Sequence, residues 1–239
     1  MYPKVICHII SSVDGRLLTD RWTTPFDGKS KNELLGIYAA IGRKLDTDAW
    51  MFGKRTLTEG FFPRKFRPAV LKTSPRPEIF VASRSSERLF IVADPEADIL
   101  YDSSTVRGDN IAAILPETTP AAYLERLRQQ NISYLFAGRD GNDLPQAMQT
   151  LDEVFDVKSL SLQGGGIIDG AFLQAGLLDE LSLVVYPGID GSASSPSIFE
   201  YVGNDTLPAR GQSLELLSTE TMPDGVIWLR YKFHKEDSK

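Results

Sequence analysis

The chain has 239 residues, of which 42% are hydrophobic and 24% charged, and its net charge is −6. That length allows a sizeable core in one large domain or two small ones, and the acidic balance argues against a general nucleic-acid binder. The single cysteine, Cys7, excludes an internal disulfide, and two histidines without a Cys-x-x-Cys pair give no metal-ligand spacing.

Residues 4–12 read as a buried strand, with Cys7 a small apolar member of it. Charge and proline appear at once, so the start does not resemble a signal peptide. No stretch approaches the roughly 20 apolar residues of a membrane span, and a cytoplasmic protein that engages no membrane is expected. Val13-Asp14-Gly15-Arg16 reads as a turn, followed by a polar loop containing Trp22, Pro25 and Asp27-Gly28. From 30 to 45, Leu34, Leu35, Ile37, Tyr38, Ile41 and Leu45 recur at helical spacing, with Ser30 as N-cap and Glu33 completing a capping box. A short strand at 49–52 ends at Gly53, and 54–59 form a turn into a short helix. Residues 61–77, rich in proline, arginine and aromatics, read as a surface loop.

Further strands are expected at 79–82, ending at Ser83-Arg84, and at 89–93, 111–115, 134–137, 159–162 and 181–186. Helices are expected at 120–130, with Thr119 as cap and Pro120 at its first position, and at 144–154 and 171–178. Residues 214–220 and 226–233 pair as a hairpin across Pro223-Asp224-Gly225. Alternating strands and helices imply an α/β fold with a largely parallel sheet, and the hairpin adds an antiparallel edge. No linker composition interrupts the chain, so 1–239 read as one domain.

Four constellations could carry chemistry. In Gln163-Gly164-Gly165-Gly166-Ile167, glycines lie between a strand and a helix. Such a turn lets the backbone approach a ligand, and the free N–H groups of the helix favour an anion such as a dinucleotide pyrophosphate. Gly53-Lys54-Arg55-Thr56 repeats the strand-glycine-helix arrangement with added positive charge and a hydroxyl. Ser83 and Arg84, at a strand end, could hold the 2′-phosphate of an adenine ribose. Finally, strand alternation places His8, Ile10 and Ser12 on one face, running into the Asp14-Gly15 turn. His8 reads either as a hydrogen-bonded core residue or as a contact to a polar heterocycle.

Ser12-Val13-Asp14-Gly15-Arg16, the run from Asp48 to Thr56, and the run from Gln163 to Leu181 together resemble the reductase domain of riboflavin biosynthesis, which has the dihydrofolate reductase fold. Tyr186-Pro187-Gly188 and the Asp224-Gly225-Val226 hairpin also fit. The resemblance covers nearly the whole chain. It implies a three-layer α/β sandwich, NADPH as cofactor, a homodimer, and hydride transfer to the ribosyl group of an aminopyrimidine ribose phosphate. It further implies that Gly164, Gly165, Gly166 and Ile167 contact the pyrophosphate. Gly53, Lys54 and Thr56 would lie along the cofactor, with Ser83 and Arg84 near its adenosine end. Ser12, Asp14, Trp22 and Gln163 would line the substrate side, with Asp14, His8 or a bound water as proton donor.

The chain departs from the family pattern at Gln163, where glutamate is common, and at His8, where lysine is common. Glu59-Gly60-Phe61-Phe62-Pro63 replaces an Asp-Asp-Pro stretch. These changes fall on the substrate side. They leave two alternatives: a reductase of another small heterocycle or carbonyl, and a non-catalytic dinucleotide-binding dimer. The zinc deaminase often fused to this reductase has no counterpart, since no paired cysteines occur.

Overall fold

The first strand, β1 (Lys4–Ser12), is buried from its second residue to its last, as expected for a parallel strand covered on both faces. Helix α1 (Lys31–Lys44) follows, and Ser30 and Glu33 form the expected capping box. The chain continues through β2 (Ala49–Gly53), α2 (Lys54–Gly60), β3 (Leu89–Ala93), β4 (Thr105–Val106), β5 (Asp109–Leu115) and α3 (Ala121–Gln129). It ends with β6 (Ser133–Phe136), α4 (Leu144–Glu153), β7 (Ser159–Leu162), α5 (Gly166–Gln174), β8 (Glu180–Tyr186), β9 (Gln212–Thr221) and β10 (Ile227–Lys235). This is a computed structural model, and it describes residues 1–67 and 78–236.

Two compact units emerge. One comprises 1–3 and 47–160, the other 4–46 and 161–239. In the first, β2 runs parallel to β3, β3 to β5 and β5 to β6, while β4 adds a short antiparallel pairing to β5. The core of this unit is aromatic: Phe52, Phe62, Phe90, Tyr101, Tyr123 and Tyr134 are all buried in it. In the second unit, β1 pairs in parallel with β8, from Ile6↔Glu180 to Ser12↔Tyr186. Strand β10 is antiparallel to both β8 and β9, which gives the expected hairpin. Its core joins Ile10, Val184, Tyr186, Val226 and Trp228 to Leu35, Ile37, Tyr38 and Ile41 of α1. The architecture is mixed α/β, mostly parallel, with an antiparallel C-terminal hairpin.

Four expectations need correction. The run 79–82 is not a strand, because Phe80 makes one isolated antiparallel bridge to Tyr134. Thr119 does not cap α3. Its hydroxyl donates to the Pro116 carbonyl, and Pro120 itself occupies the N-cap. The last αβ helix starts at Gly166, five residues before the expected 171. The segment 61–67 is not merely surface, since Phe62 is buried and Phe61 and Phe66 pack on the core. The remainder of that expected loop, 68–77, lies outside the described residues. No helix among the described residues is long and apolar enough to cross a membrane.

Candidate functional site

The glycine turn belongs to the second unit, leading from β7 into α5. Gly164 has φ +67°, and the Gly164–Gly165 peptide is cis. A Cβ on Gly164 would lie 2.7 Å from Ile9 Cδ1, so a side chain there would be strained by φ and would have to displace the tip of Ile9. Gly166 and Gly170 are glycines for a different reason. A Cβ would fall 2.3 Å from the Ser197 carbonyl oxygen at Gly166, and 2.4 Å from that of Glu200 at Gly170. The chain at 197–201 crosses α5 in direct backbone contact, fixed by the Glu200 amide donating to the Gly166 carbonyl at 2.8 Å. The first helical hydrogen bonds run from the Ile168 and Asp169 amides to the Gly165 carbonyl. The amides of Gly166 and Ile167 therefore precede the helical ladder, as anion binding at a helix start requires. Ile167 is half exposed beside them. Gln163, partly buried, donates from Nε2 to Ser161 Oγ at 3.3 Å.

His8 is fully buried, stacked on the Tyr38 ring with centroids 4.3 Å apart. Burial lowers its pKa from 6.5 to about 4, against the opposing effect of its hydrogen bonds, so the imidazole is neutral near pH 7. The Tyr38 carbonyl can only accept, so Nε2 carries the proton and donates to it at 3.1 Å. Nδ1 is then the acceptor for the Ser182 hydroxyl at 3.0 Å, and Ser182 Oγ accepts from Trp228 Nε1–H at 2.9 Å. A base depressed on folding stabilises the fold above its unfolded pKa, and that contribution is lost as pH falls through the folded value. Wild-type stability relative to a His8→Gln variant should therefore drop between pH 6.5 and about 4. The drop corresponds to about 3 kcal/mol for a shift of this size. Urea melts of both proteins across that range check this, and parallel curves would contradict it.

Asp14 anchors a loop. Its Oδ1 accepts from the Ser12 hydroxyl at 2.6 Å and the Asp190 amide at 3.1 Å, and its Oδ2 accepts from the Gly191 amide at 2.8 Å. These donors, the Ser12 hydroxyl foremost, hold its carboxyl at a pKa of about 2. Asp14 is thus ionised near neutrality and has no proton to donate. Ser12 Oγ also accepts from the Arg16 amide at 3.0 Å, closing the turn. Trp22 is buried against Tyr186, with ring centroids 4.8 Å apart, and belongs to the core of the second unit.

The remaining expected residues lie in the first unit. Gly53 is the N-cap of α2, and Thr56 lies in its first turns. Lys54 is held by carboxylates: its Nζ lies 3.1 Å from Asp94 and 2.5 Å from Asp98, and it also pairs with Glu96. Burial opposes its charge, but Asp98, Glu96 and Asp94 outweigh burial and raise its pKa. The ammonium is therefore committed to an internal cluster. Ser83 Oγ donates to Asn131 Oδ1 at 3.1 Å. Arg84 donates from Nη2 to the Phe155 carbonyl at 3.0 Å and stacks over the Phe155 ring.

Among the described residues, Asp94 and Asp169 are fully buried acids outside the expected site. Asp94, fully buried, accepts from the Ile99 amide and the Tyr123 hydroxyl besides pairing with Lys54. Asp169, also fully buried, lies in the first turn of α5 beneath Gly164. The available signal for Asp169 was a lone acid in the otherwise apolar run Ile167-Ile168-Asp169-Gly170-Ala171-Phe172. Among the described residues no group of three or more His, Cys, Asp or Glu side chains could hold a metal ion.

A pyrimidine reductase-like protein from Corynebacterium diphtheriae superposes with a TM-score of 0.67 at 18% identity, covering 98% of this chain and 93% of that one. Acinetobacter baumannii RibD gives 0.62 at 20% identity, covering 98% of this chain and 58% of its own. The riboflavin biosynthesis reductase of Saccharomyces cerevisiae gives 0.59 at 13% identity, with 98% and 90% covered. At these identities the likeness establishes the fold, which is of the dihydrofolate reductase type. Residues 3–228 match the RibD C-terminal domain, and the chain belongs to that family.

Proposed function

We propose that this protein is an NADPH-dependent reductase that converts the ribosyl group of an aminopyrimidine ribose phosphate to a ribityl group by hydride delivery to C1′. The observation that carries the reading is the glycine turn. Two backbone amides stand ahead of the helical ladder of α5 in a chain whose family and fold neighbours include pyrimidine reductases. The amides of Gly166 and Ile167 would hold the pyrophosphate, aided by the positive end of the α5 dipole. Gly53 and Thr56 would lie along the cofactor, and Ser83 and Arg84 near its adenosine phosphate. Bound NADPH would supply the hydride, and the protein would supply orientation.

In this reading neither His8 nor Asp14 is the proton donor. His8 is neutral, and its one N–H is given to a carbonyl; Asp14 is ionised. Both act by holding structure: His8 fixes α1 on β1, and Asp14 fixes the 188–191 loop to the 12–16 turn. The proton would come from water at the substrate. Lys54 acts in the same indirect way, by holding the start of α2. The family match over 3–228 supports reading 1–239 as one reductase domain. A homodimer is supported by Leu214, Leu216 and Leu217 of β9, which are 50%, 55% and 44% exposed.

A second reading, reduction of another small heterocycle or carbonyl, is favoured by Gln163. A neutral amide stands where a carboxylate could bind an aminopyrimidine. Calorimetric titration of the purified protein with NADPH tests what both readings share. Micromolar binding, weakened by salt, is expected, and an absence of heat and of fluorescence transfer would remove both.

A further inference from the structure

The floor of the glycine turn is a carboxyl group. Asp169 is fully buried, and neither of its oxygens has a hydrogen bond of normal geometry. A Cβ on Gly164 would sit 3.2 Å from Asp169 Oδ2, so the group packs directly against the turn. Strand alternation puts Cys7 and Ile9 of β1 on the face beneath it. The titratable groups that act on Asp169 are the Cys7 thiol beside it and, at longer range, the Tyr38 hydroxyl of α1. Both are themselves buried, and neither brings a positive charge. Among the described residues the Cys7 thiol, a weak donor, is the group placed to hydrogen-bond an anion here, and a buried anion with so little compensation is heavily penalised.

We propose that Asp169 is a neutral carboxylic acid that serves as a positioning residue for the glycine turn. Uncharged, it packs beneath Gly164 and the turn holds its shape. Ionised, it must draw in water or move, and the turn opens. Burial drives the Asp169 carboxyl well above its ordinary range, and burial with the neighbouring Asp169 does the same to the Cys7 thiol. An acid whose pKa is raised on folding stabilises the fold fully below its unfolded pKa, and this contribution is lost as pH rises through the folded value. Asp169 therefore becomes a liability on the alkaline side. The effect on cofactor affinity rests on the NADPH reading above; the protonation of Asp169 does not.

The test compares wild type with Asp169→Asn, a neutral group of the same size, and Asp169→Leu, an apolar one. Infrared spectra at neutral pH should show the carbonyl band of a protonated carboxylic acid in wild type that is missing from both variants. At mildly alkaline pH at least one variant should melt above wild type, with the gap closing as pH falls toward the ordinary carboxylate range. From about pH 6 to about pH 10 the NADPH Kd of wild type should rise at least roughly tenfold relative to that of Asp169→Asn. Absence of the acid band, or both variants melting below wild type at alkaline pH, overturns the proposal. So does a constant ratio of the two Kd values across the pH range. If wild type binds no NADPH at any pH, the cofactor reading fails, while the band and the melting gap still decide the state of Asp169.

Discussion

Gly170→Ala is expected to destabilise the protein by about 2 to 3 kcal/mol, although the substitution improves helix propensity by about 1 kcal/mol. Gly170 lies within α5, where alanine is ordinarily preferred. Its Cβ, however, would fall 2.4 Å from the Glu200 carbonyl oxygen and 2.8 Å from the Tyr201 amide nitrogen. Both contacts are backbone, so no side chain can rotate away. Either the 197–201 segment lifts or α5 shifts, and the Glu200–Gly166 hydrogen bond at the start of the helix is lost with it. Gly36 provides the control. It lies in α1 with nothing within 4 Å of its would-be Cβ, so Gly36→Ala should stabilise by about 1 kcal/mol. Thermal melts of the two variants should move in opposite directions, by roughly 2–4 °C per kcal/mol for a chain of this size. A Gly170→Ala protein as stable as wild type would show that the close approach of 197–201 to α5 is wrong.

Lys54→Met is expected to destabilise by about 3 kcal/mol, at the lower end of the range for breaking a buried pair. The lower end applies because Lys54 keeps 15% of its side-chain surface exposed and Glu96, one of its partners, is largely solvated. The loss comes mainly from Asp94, whose carboxylate has no exposed surface and would keep only the Ile99 amide and the Tyr123 hydroxyl as donors. Asp94→Asn alone should cost less, since Lys54 keeps Glu96 and Asp98. The double variant should recover about 1 kcal/mol or more of the Lys54→Met loss, giving a non-additive cycle. The pH dependence follows from Asp98. Burial opposes its ionisation, but Lys54 and Lys65 lower its pKa, so its stabilisation is present above the ordinary carboxylate range and is lost as pH falls. Lys54→Met should flatten that acid limb. If Lys54 instead bound a phosphate of the cofactor, the variant would lose NADPH affinity with little change in stability.

Much of the fold was legible because its signals are local. The apolar spacing from Leu35 to Leu45 and the Ser30/Glu33 box lie within one helix, and α1 begins and ends where they place it. The Pro223-Asp224-Gly225 turn likewise lies between its own two strands. Elsewhere tertiary context decides. Ile79-Phe80-Val81-Ala82 has the composition of a strand, but Phe80 finds a partner at only one position, Tyr134. Helix α5 begins in glycine, the residue with the weakest ordinary preference for a helix after proline, so propensity alone delays its start to Ala171.

The site was legible in the same uneven way. Three glycines between a strand and a helix pointed to a backbone that must come close to something. For Gly166 that something is the chain itself at 197–201, which also crowds Gly170 inside α5, a contact between residues about thirty apart that no local motif encodes. The charge on Lys54 suggested a ligand, yet Asp94, Glu96 and Asp98, some forty residues later, claim it. His8 was open to two readings, and the relay from Trp228 through Ser182 favours the core histidine. In the proposed reading His8 and Lys54 support the elements that hold substrate and cofactor, while Gly166 keeps its place at the pyrophosphate.

NADPH absorbance, followed while the purified protein is mixed with the aminopyrimidine ribosylamino phosphate, reports the proposed reaction itself. NADPH should be consumed in a one-to-one ratio with formation of the ribityl product, at a rate proportional to protein concentration. NADPH bound but never oxidised by this acceptor would contradict the proposed reaction, and no binding at all would contradict the cofactor as well.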